Sequence, residues 1–276
     1  MAATIQRQLR LETSNIEKYC SADGLSLNAG GYAIRKWLNG GSTGYATLNA
    51  AAMAELYPTE TANPDSLDSE IRGSRSAGSM SAALQVGGTS VHRESYSSIS
   101  LSTRTKTGIT DAAVTASTRQ TLIRWEVDGA NGNNQRLAHV YITLHFTQYS
   151  ATAAIGNGAD GVQSASVSNS APYRGDTVTF TATIKSGTVW HGWYADATCT
   201  NLVSESLSYT TAAADLTLYA KASIPEQSFG VYLKPSGEWK NVRAGYIKSD
   251  GVWTSKNADE CREALESGNY IFKEAI

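Results

Sequence analysis

Gly40-Gly41-Ser42-Thr43-Gly44 has the spacing G-x-S-x-G. On a strand–turn–helix corner that spacing exposes a serine oxygen for nucleophilic attack. An apolar stretch, Tyr32–Leu38, precedes it, an Ala-rich stretch follows, and Asp128 and His139 or His145 come in the chain order of a hydrolase triad. The wider context speaks against it. Such a site sits on alternating parallel strands and helices, whereas residues 89–149 read as antiparallel hairpins. NGGSTG is also an ordinary loop composition in a chain this rich in Gly and Ser. No catalytic residue is therefore assigned.

The four histidines make no metal site by spacing. His139 and His145 share one strand face but lie roughly 20 Å apart at strand rise. One zinc ion binds its ligands at about 2 Å. Both are expected as surface or stacking histidines, and His191, between Trp190 and Trp193, is expected to point off the core face. No P-loop, G-x-G-x-x-G or EF-hand spacing occurs. The expectation is a non-enzymatic protein without cofactor or metal.

The elements that would position any site are β-type. The chain has 276 residues, 60 of them Ser or Thr, with 24 Gly and 14 Tyr, and only 17% are charged. A formal charge of −2 disfavours a nucleic-acid binder and an acidic tail. The 41% hydrophobic share is enough for a core. Cys20, Cys199 and Cys261 lie far apart and in odd number, which fits reduced buried thiols better than a disulfide framework. The N-terminal MAATIQRQLRLETSN lacks the apolar segment of a signal peptide. No run approaches about 18 apolar residues, so no membrane insertion is expected.

Four regions differ in texture. Residues 1–150 hold most of the arginines and read as a β-rich domain with short helices. Ser14–Glu17 has capping-box spacing, and Tyr45–Leu56 is helix-like up to Tyr57-Pro58. Residues 59–88 read as a long extended arm that packs on a neighbouring subunit. Ser97–Lys106 alternates like a strand. Arg119–Val127 and Arg136–Phe146 alternate too, with turn chemistry between them, and read as a β-hairpin. In the second of these His139, Tyr141, Thr143 and His145 share the face opposite Val140, Ile142, Leu144 and Phe146. Residues 151–161 have a linker composition, 162–223 read as an all-β module, and 227–276 form a compact tail. Arg72, Arg75, Arg93, Arg104, Arg119, Arg124 and Arg136 fit either an interface with acidic neighbours or solvated strand faces.

Within 162–223, GDTVTFTATI (175–184), VWHGWYAD (189–196) and DLTLYAKAS (215–223) follow the order of an immunoglobulin-like sandwich. Asp215-x-x-x-Tyr219 has the spacing of a tyrosine corner. GWY (192–194) and LYAK (218–221) also resemble the Listeria–Bacteroides surface repeat, which is β-grasp-like. Both resemblances imply a spacer or adhesive module. Its core is expected on Trp190, Trp193, Phe180, Val178 and Tyr219, without a disulfide.

The tail repeats itself. Tyr232-Leu-Lys234-x-x-Gly237-x-Trp239 returns fourteen residues later as Tyr246-Ile-Lys248-x-x-Gly251-x-Trp253. Each copy reads as a strand, a turn and a return strand. The pair resembles the YxKxxGxW hairpins near the ends of tail and fibre proteins of bacteriophages infecting Gram-positive bacteria. Asn257–Ser267 reads as a closing helix. Tyr232, Trp239, Tyr246 and Trp253 are candidates for glycan or partner contact, since aromatic faces suit sugar stacking.

These resemblances imply a virion structural protein of the tail, baseplate or fibre. Residues 1–150 would then be its assembly domain and 162–223 an outward module. Its partners would be other virion proteins, a second copy in a homo-oligomer and a host-surface glycan, with no nucleic acid. A capsid decoration or head-fibre protein, and a bacterial adhesin or carbohydrate-binding module, are the alternatives.

Overall fold

The computed structural model describes residues 2–36, 43–75, 80–129 and 135–224, and beyond them the backbone of five short tail strands. The chain is mainly β. None of its described helices is long and apolar enough to cross a membrane.

The first module runs through β1 (Ala3–Leu11), α1 (Ile16–Tyr19), β2 (Cys20–Asp23), β3 (Ser26–Ala29), β4 (Tyr32–Lys36), β5 (Thr43–Leu48), α2 (Ala50–Leu56) and β6 (Ser66–Arg75). It continues through β7 (Met80–Val86), β8 (Thr89–Tyr96), β9 (Ser102–Ile109), α3 (Ala112–Thr115), β10 (Ile123–Gly129) and β11 (Gln135–Gln148). One sheet has the order β3-β4-β11-β6-β9, with β1 also on β11; the other is β2-β5-β10-β7-β8. Every pairing in them is antiparallel. The two sheets bury alternate residues against each other, among them Leu67, Ile71, Leu84, Trp125, Val140, Ile142 and Phe146. That is the arrangement of a β-sandwich.

Several expectations change here. β10 and β11 do not form a hairpin. β10 pairs with β5 and β7, whereas β11 pairs with β1, β4 and β6 in the opposing sheet. Their apolar faces meet across the core, and alternation predicts a buried face, not a partner. Residues 59–88 are not an arm. They hold β6 and β7, both inside the sandwich. In β6 the inward positions Leu67, Ser69, Ile71 and Gly73 include two small residues, which hides the period. Only Ala50–Leu56 of the expected long helix is helical, because Tyr45–Leu48 belongs to β5. The Asn49 side chain caps it, accepting from the Ala51 and Ala52 amides. At α1 the Ser14–Glu17 box is not used. Asn15 instead accepts from the Glu12 amide and donates to the Arg10 carbonyl.

The second module comprises β12 (Ala151–Ile155), β13 (Val162–Val167), β14 (Thr177–Ile184), β15 (Val189–Tyr194), β16 (Leu202–Ser204), β17 (Ser208–Ala212) and β18 (Leu216–Ser223). Its sheets are β12-β18-β15-β16 and β13-β14-β17. The expected linker therefore begins with a strand, since β12 pairs in parallel with β18. Trp193 and Phe180 are fully buried, their rings edge-to-face at 5.7 Å, with Val178 and Leu218 around them. Trp190 is half-buried against Trp193. Tyr219 is not a core residue. It is half-buried on the outer side of β18, where the buried positions are Leu218, Ala220 and Ala222. Asp215 ties the corner instead, through its carboxylate on the Ser150 amide. Gly192 of the GWY motif has φ +133° at the bulge between Trp190 and Gly192, and a Cβ there would stand 2.6 Å from the Ser204 carbonyl oxygen. Only glycine meets both demands.

The modules are joined by a polar latch. The Asp176 carboxylate, 6% exposed, accepts the Thr59 and Thr61 hydroxyls at 2.6 and 2.7 Å and the Tyr173 amide at 2.9 Å. Arg174 donates to the Pro64 and Thr115 carbonyls and pairs with Asp65. The Tyr173 ring meets Phe146 edge-on. Gly175, at φ +92°, allows the close approach, since a Cβ would fall 2.4 Å from the Thr61 carbonyl oxygen.

In the tail, β19 (Val231–Leu233) pairs with β20 (Lys240–Val242), and β21 (Gly245–Ser249) pairs with β22 (Val252–Lys256) and β23 (Phe272–Glu274). The second copy of the repeat thus begins in β21 and ends in β22, and the first begins in β19 and ends just before β20. The expected helix Asn257–Ser267 lies outside the described residues.

Candidate functional site

The outer face of the first sheet carries two polar rows fixed by strand register. Arg10 on β1 stands opposite Tyr141 on β11, which faces Glu70 on β6, which faces Thr105 on β9. Beside them Gln8 stands opposite Thr143, which faces Asp68. The side chains point outward because their neighbours Leu9, Ile142, Leu67 and Ile71 are taken up by the core. Between the rows lies a groove of about 190 Å³, lined by Gln8, Asp68, Glu70, Thr105, Tyr141 and Thr143 among others.

The groove is pre-arranged. His139 stacks on Tyr141 at 4.3 Å, and its Nε2 stands 2.8 Å from Glu70 Oε1. His145 Nε2 stands 2.8 Å from Asp68 Oδ2, while Asp68 Oδ1 accepts the Gly108 amide. Gln8 donates to Thr143 and accepts from Arg10, whose guanidinium lies over the Tyr141 ring. The Tyr141 hydroxyl donates to Glu12 at 2.6 Å, and that bond raises its pKa above the ordinary phenol value. Ser69 lies beneath the groove floor, at an inward position of β6 only 3% exposed. The result is a shallow trough with oriented acceptors, threonine hydroxyls and one braced aromatic ring. Such a surface can hold a polyhydroxylated ligand by many short hydrogen bonds.

The sequence placed His139, Tyr141, Thr143 and His145 on one face, and they do share it. It did not find Asp68, Glu70 or Gln8. The alternation of Ser66, Asp68, Glu70 and Arg72 was the available signal, obscured by Ser-rich surroundings. The other expected contacts belong to the tail. Tyr232, Tyr246 and Trp253 fall in β19, β21 and β22, and Trp239 lies outside the described residues. So does Ser42, with Gly40 and Gly41. Asp128 lies near the end of β10, in the opposing sheet from His139 and His145. His191 binds Ser223 off the core. No cluster of three or more His, Cys, Asp or Glu that could hold a metal occurs among the described residues.

Several of the arginines find partners within the chain. Arg93 and Gln85 both bind Glu126, Arg124 lies 3.9 Å over Tyr45, and Arg119 pairs with Glu60. Cys20 and Cys199 are buried free thiols, and burial pushes Cys20 up to about 12, far from a reactive thiolate.

Residues 156–221 match the model of the Listeria-Bacteroides repeat domain, a span covering β13 to β17 and most of β18. No curated protein matches the chain. Similar solved structures include the CBM36-1 domain of a multidomain xylanase from the hindgut metagenome of Trinervitermes trinervoides. It is 13% identical over 51% of this chain and 96% of its own, with a TM-score of 0.32. A carbohydrate-binding module CBM36 in complex with calcium and xylotriose is 14% identical over 48% of this chain and 96% of its own, with a TM-score of 0.30. The enzymatically active domain of tailspike protein 4 of bacteriophage CBA120 is 7% identical, with a TM-score of 0.25. It aligns with 50% of this chain, which spans 19% of that one. Scores this low carry no argument about ligand or function.

Proposed function

We propose that the chain is a non-enzymatic carbohydrate-binding protein that holds a stretch of glycan in the groove across β1, β11, β6 and β9. This reverses the order expected from the sequence, where the virion role came first. The observation that carries it is the groove, where acceptors on three strands converge beside a braced aromatic ring. Its 190 Å³ is smaller than the roughly 300–1,000 Å³ of enclosed small-molecule sites, so it fits part of a longer chain better than a whole free ligand.

A glycan array followed by titration calorimetry tests the reading. Thr143→Trp fills the groove from a central strand without touching the core, and should weaken the strongest glycan at least about tenfold, a loss of about 1.4 kcal/mol. Binding that survives Thr143→Trp but is lost in Trp253→Ala would move the site to the tail hairpins.

A second reading concerns the setting. The twin YxKxxGxW copies, each starting in a strand that pairs antiparallel with the next, support placement in a bacteriophage particle, with 227–276 near one end of a tail or fibre protein. Mass spectrometry of purified virions should then find about three to twelve copies, or a low multiple, as cyclic symmetry sets. Hundreds of copies would indicate tail tube or capsid surface, and absence from particles would end the virion reading.

A further inference from the structure

The groove lining is polar and its permanent charges are of one sign, although His139 and His145 stand against the two carboxylates. Asp68 and Glu70 share one face of β6, two residues apart, and both line it. The other lining groups, Gln8, Ser69, Thr105, Thr107, Tyr141 and Thr143, are uncharged. The cations of this face stand outside the lining. Arg10 lies over the Tyr141 ring and donates to Gln8. Arg72 stands at the next outward position of β6, opposite His139 and Thr103. Lys106, opposite the inward Ser69, is on the other side of the sheet and donates to the Val91 carbonyl. Glu12, on the Tyr141 hydroxyl, adds a third carboxylate nearby.

Resting on the carbohydrate-binding reading, we infer that the groove is selective by charge: it takes an uncharged polysaccharide and excludes anionic ones, with Asp68 and Glu70 as the specificity-determining residues. Ligand hydroxyls donate to carboxylates as charge-assisted hydrogen bonds, the stronger kind. Glu70 Oε1 is engaged by His139, which leaves Oε2 for a ligand hydroxyl. A uronate carboxylate or a backbone phosphate offers no donor there and brings like charge beside two fixed charges. Such repulsion is a recognised means of rejecting the wrong partner.

The test uses the full chain and matched polymers. Soluble β-glucan, galactomannan and galactan are compared with the same polymers oxidised at C6 to uronates. The wild-type protein should bind at least one neutral polymer at least about tenfold more tightly than its oxidised form. That ratio should narrow as salt shortens the screening length from about 10 Å at 0.1 M to about 3 Å at 1 M. In Asp68→Asn/Glu70→Gln the ratio of neutral to oxidised affinity should fall at least about tenfold. Thr105→Lys, which adds a cation to the groove without altering β6, should lower it too. Equal binding of neutral and oxidised polymer by the wild-type protein, or an unchanged ratio in both variants, overturns the inference and leaves the carbohydrate reading standing. Failure to bind either form of any polymer overturns both.

Discussion

Asp176→Ala should uncouple the two modules. Calorimetry should show the wild-type modules melting together and the variant melting in two steps. The Thr59 and Thr61 hydroxyls and the Tyr173 amide all donate to this one buried carboxylate. A buried donor left without a partner costs about 1–3 kcal/mol, and Thr61 is exposed to water, so Thr59 and the Tyr173 amide set the loss at about 2–6 kcal/mol. Asp176→Asn keeps an acceptor for the threonines and should fall between. A single transition in Asp176→Ala, shifted by less than about 1 kcal/mol, would show that Arg174 and the Tyr173–Phe146 contact hold the joint instead.

The second large effect is expected at Trp193. Its side chain is fully buried between Phe180 and Trp190, and its indole N–H faces the Leu207 carbonyl. Trp193→Ala should cost about 3–5 kcal/mol through lost burial and the cavity left behind. A module of this size has roughly 4–11 kcal/mol to lose at ordinary stability per residue. The second module should therefore become protease-sensitive between residues 150 and 224, while the first sandwich, whose core is separate, stays folded. Trp190→Ala, at a half-buried position, should cost less than half as much. Equal protease resistance in wild-type and Trp193→Ala protein would show that this core does not rest on the indole.

Part of this was legible in the residues. The alternation of Arg136–Phe146 sets one apolar and one polar face whatever the strand pairs with, so His139, Tyr141, Thr143 and His145 could be grouped before any fold was known. The Phe180 and Trp193 core was legible for a related reason. A short β module has few large apolar residues, and these had to fill it. The twin tail repeat is a property of the string itself.

What the string could not supply was partnership. Arg119–Val127 and Arg136–Phe146 carry the pattern of a hairpin, yet β10 and β11 lie in opposite sheets, because alternation fixes which face is buried and says nothing about which neighbour takes the backbone hydrogen bonds. Asp68 and Glu70 acquired meaning only when β6 settled between β11 and β9, which brought them beside Gln8 and Tyr141 from 60 to 73 residues away. Asp176 reads as the start of a strand, and only docking against Thr59 and Thr61 makes it a latch. The sequence by itself determined faces, cores and repeats, which depend on local periodicity and side-chain volume. The tertiary structure alone decided the groove and the joint, because both are made of contacts between residues far apart in the chain.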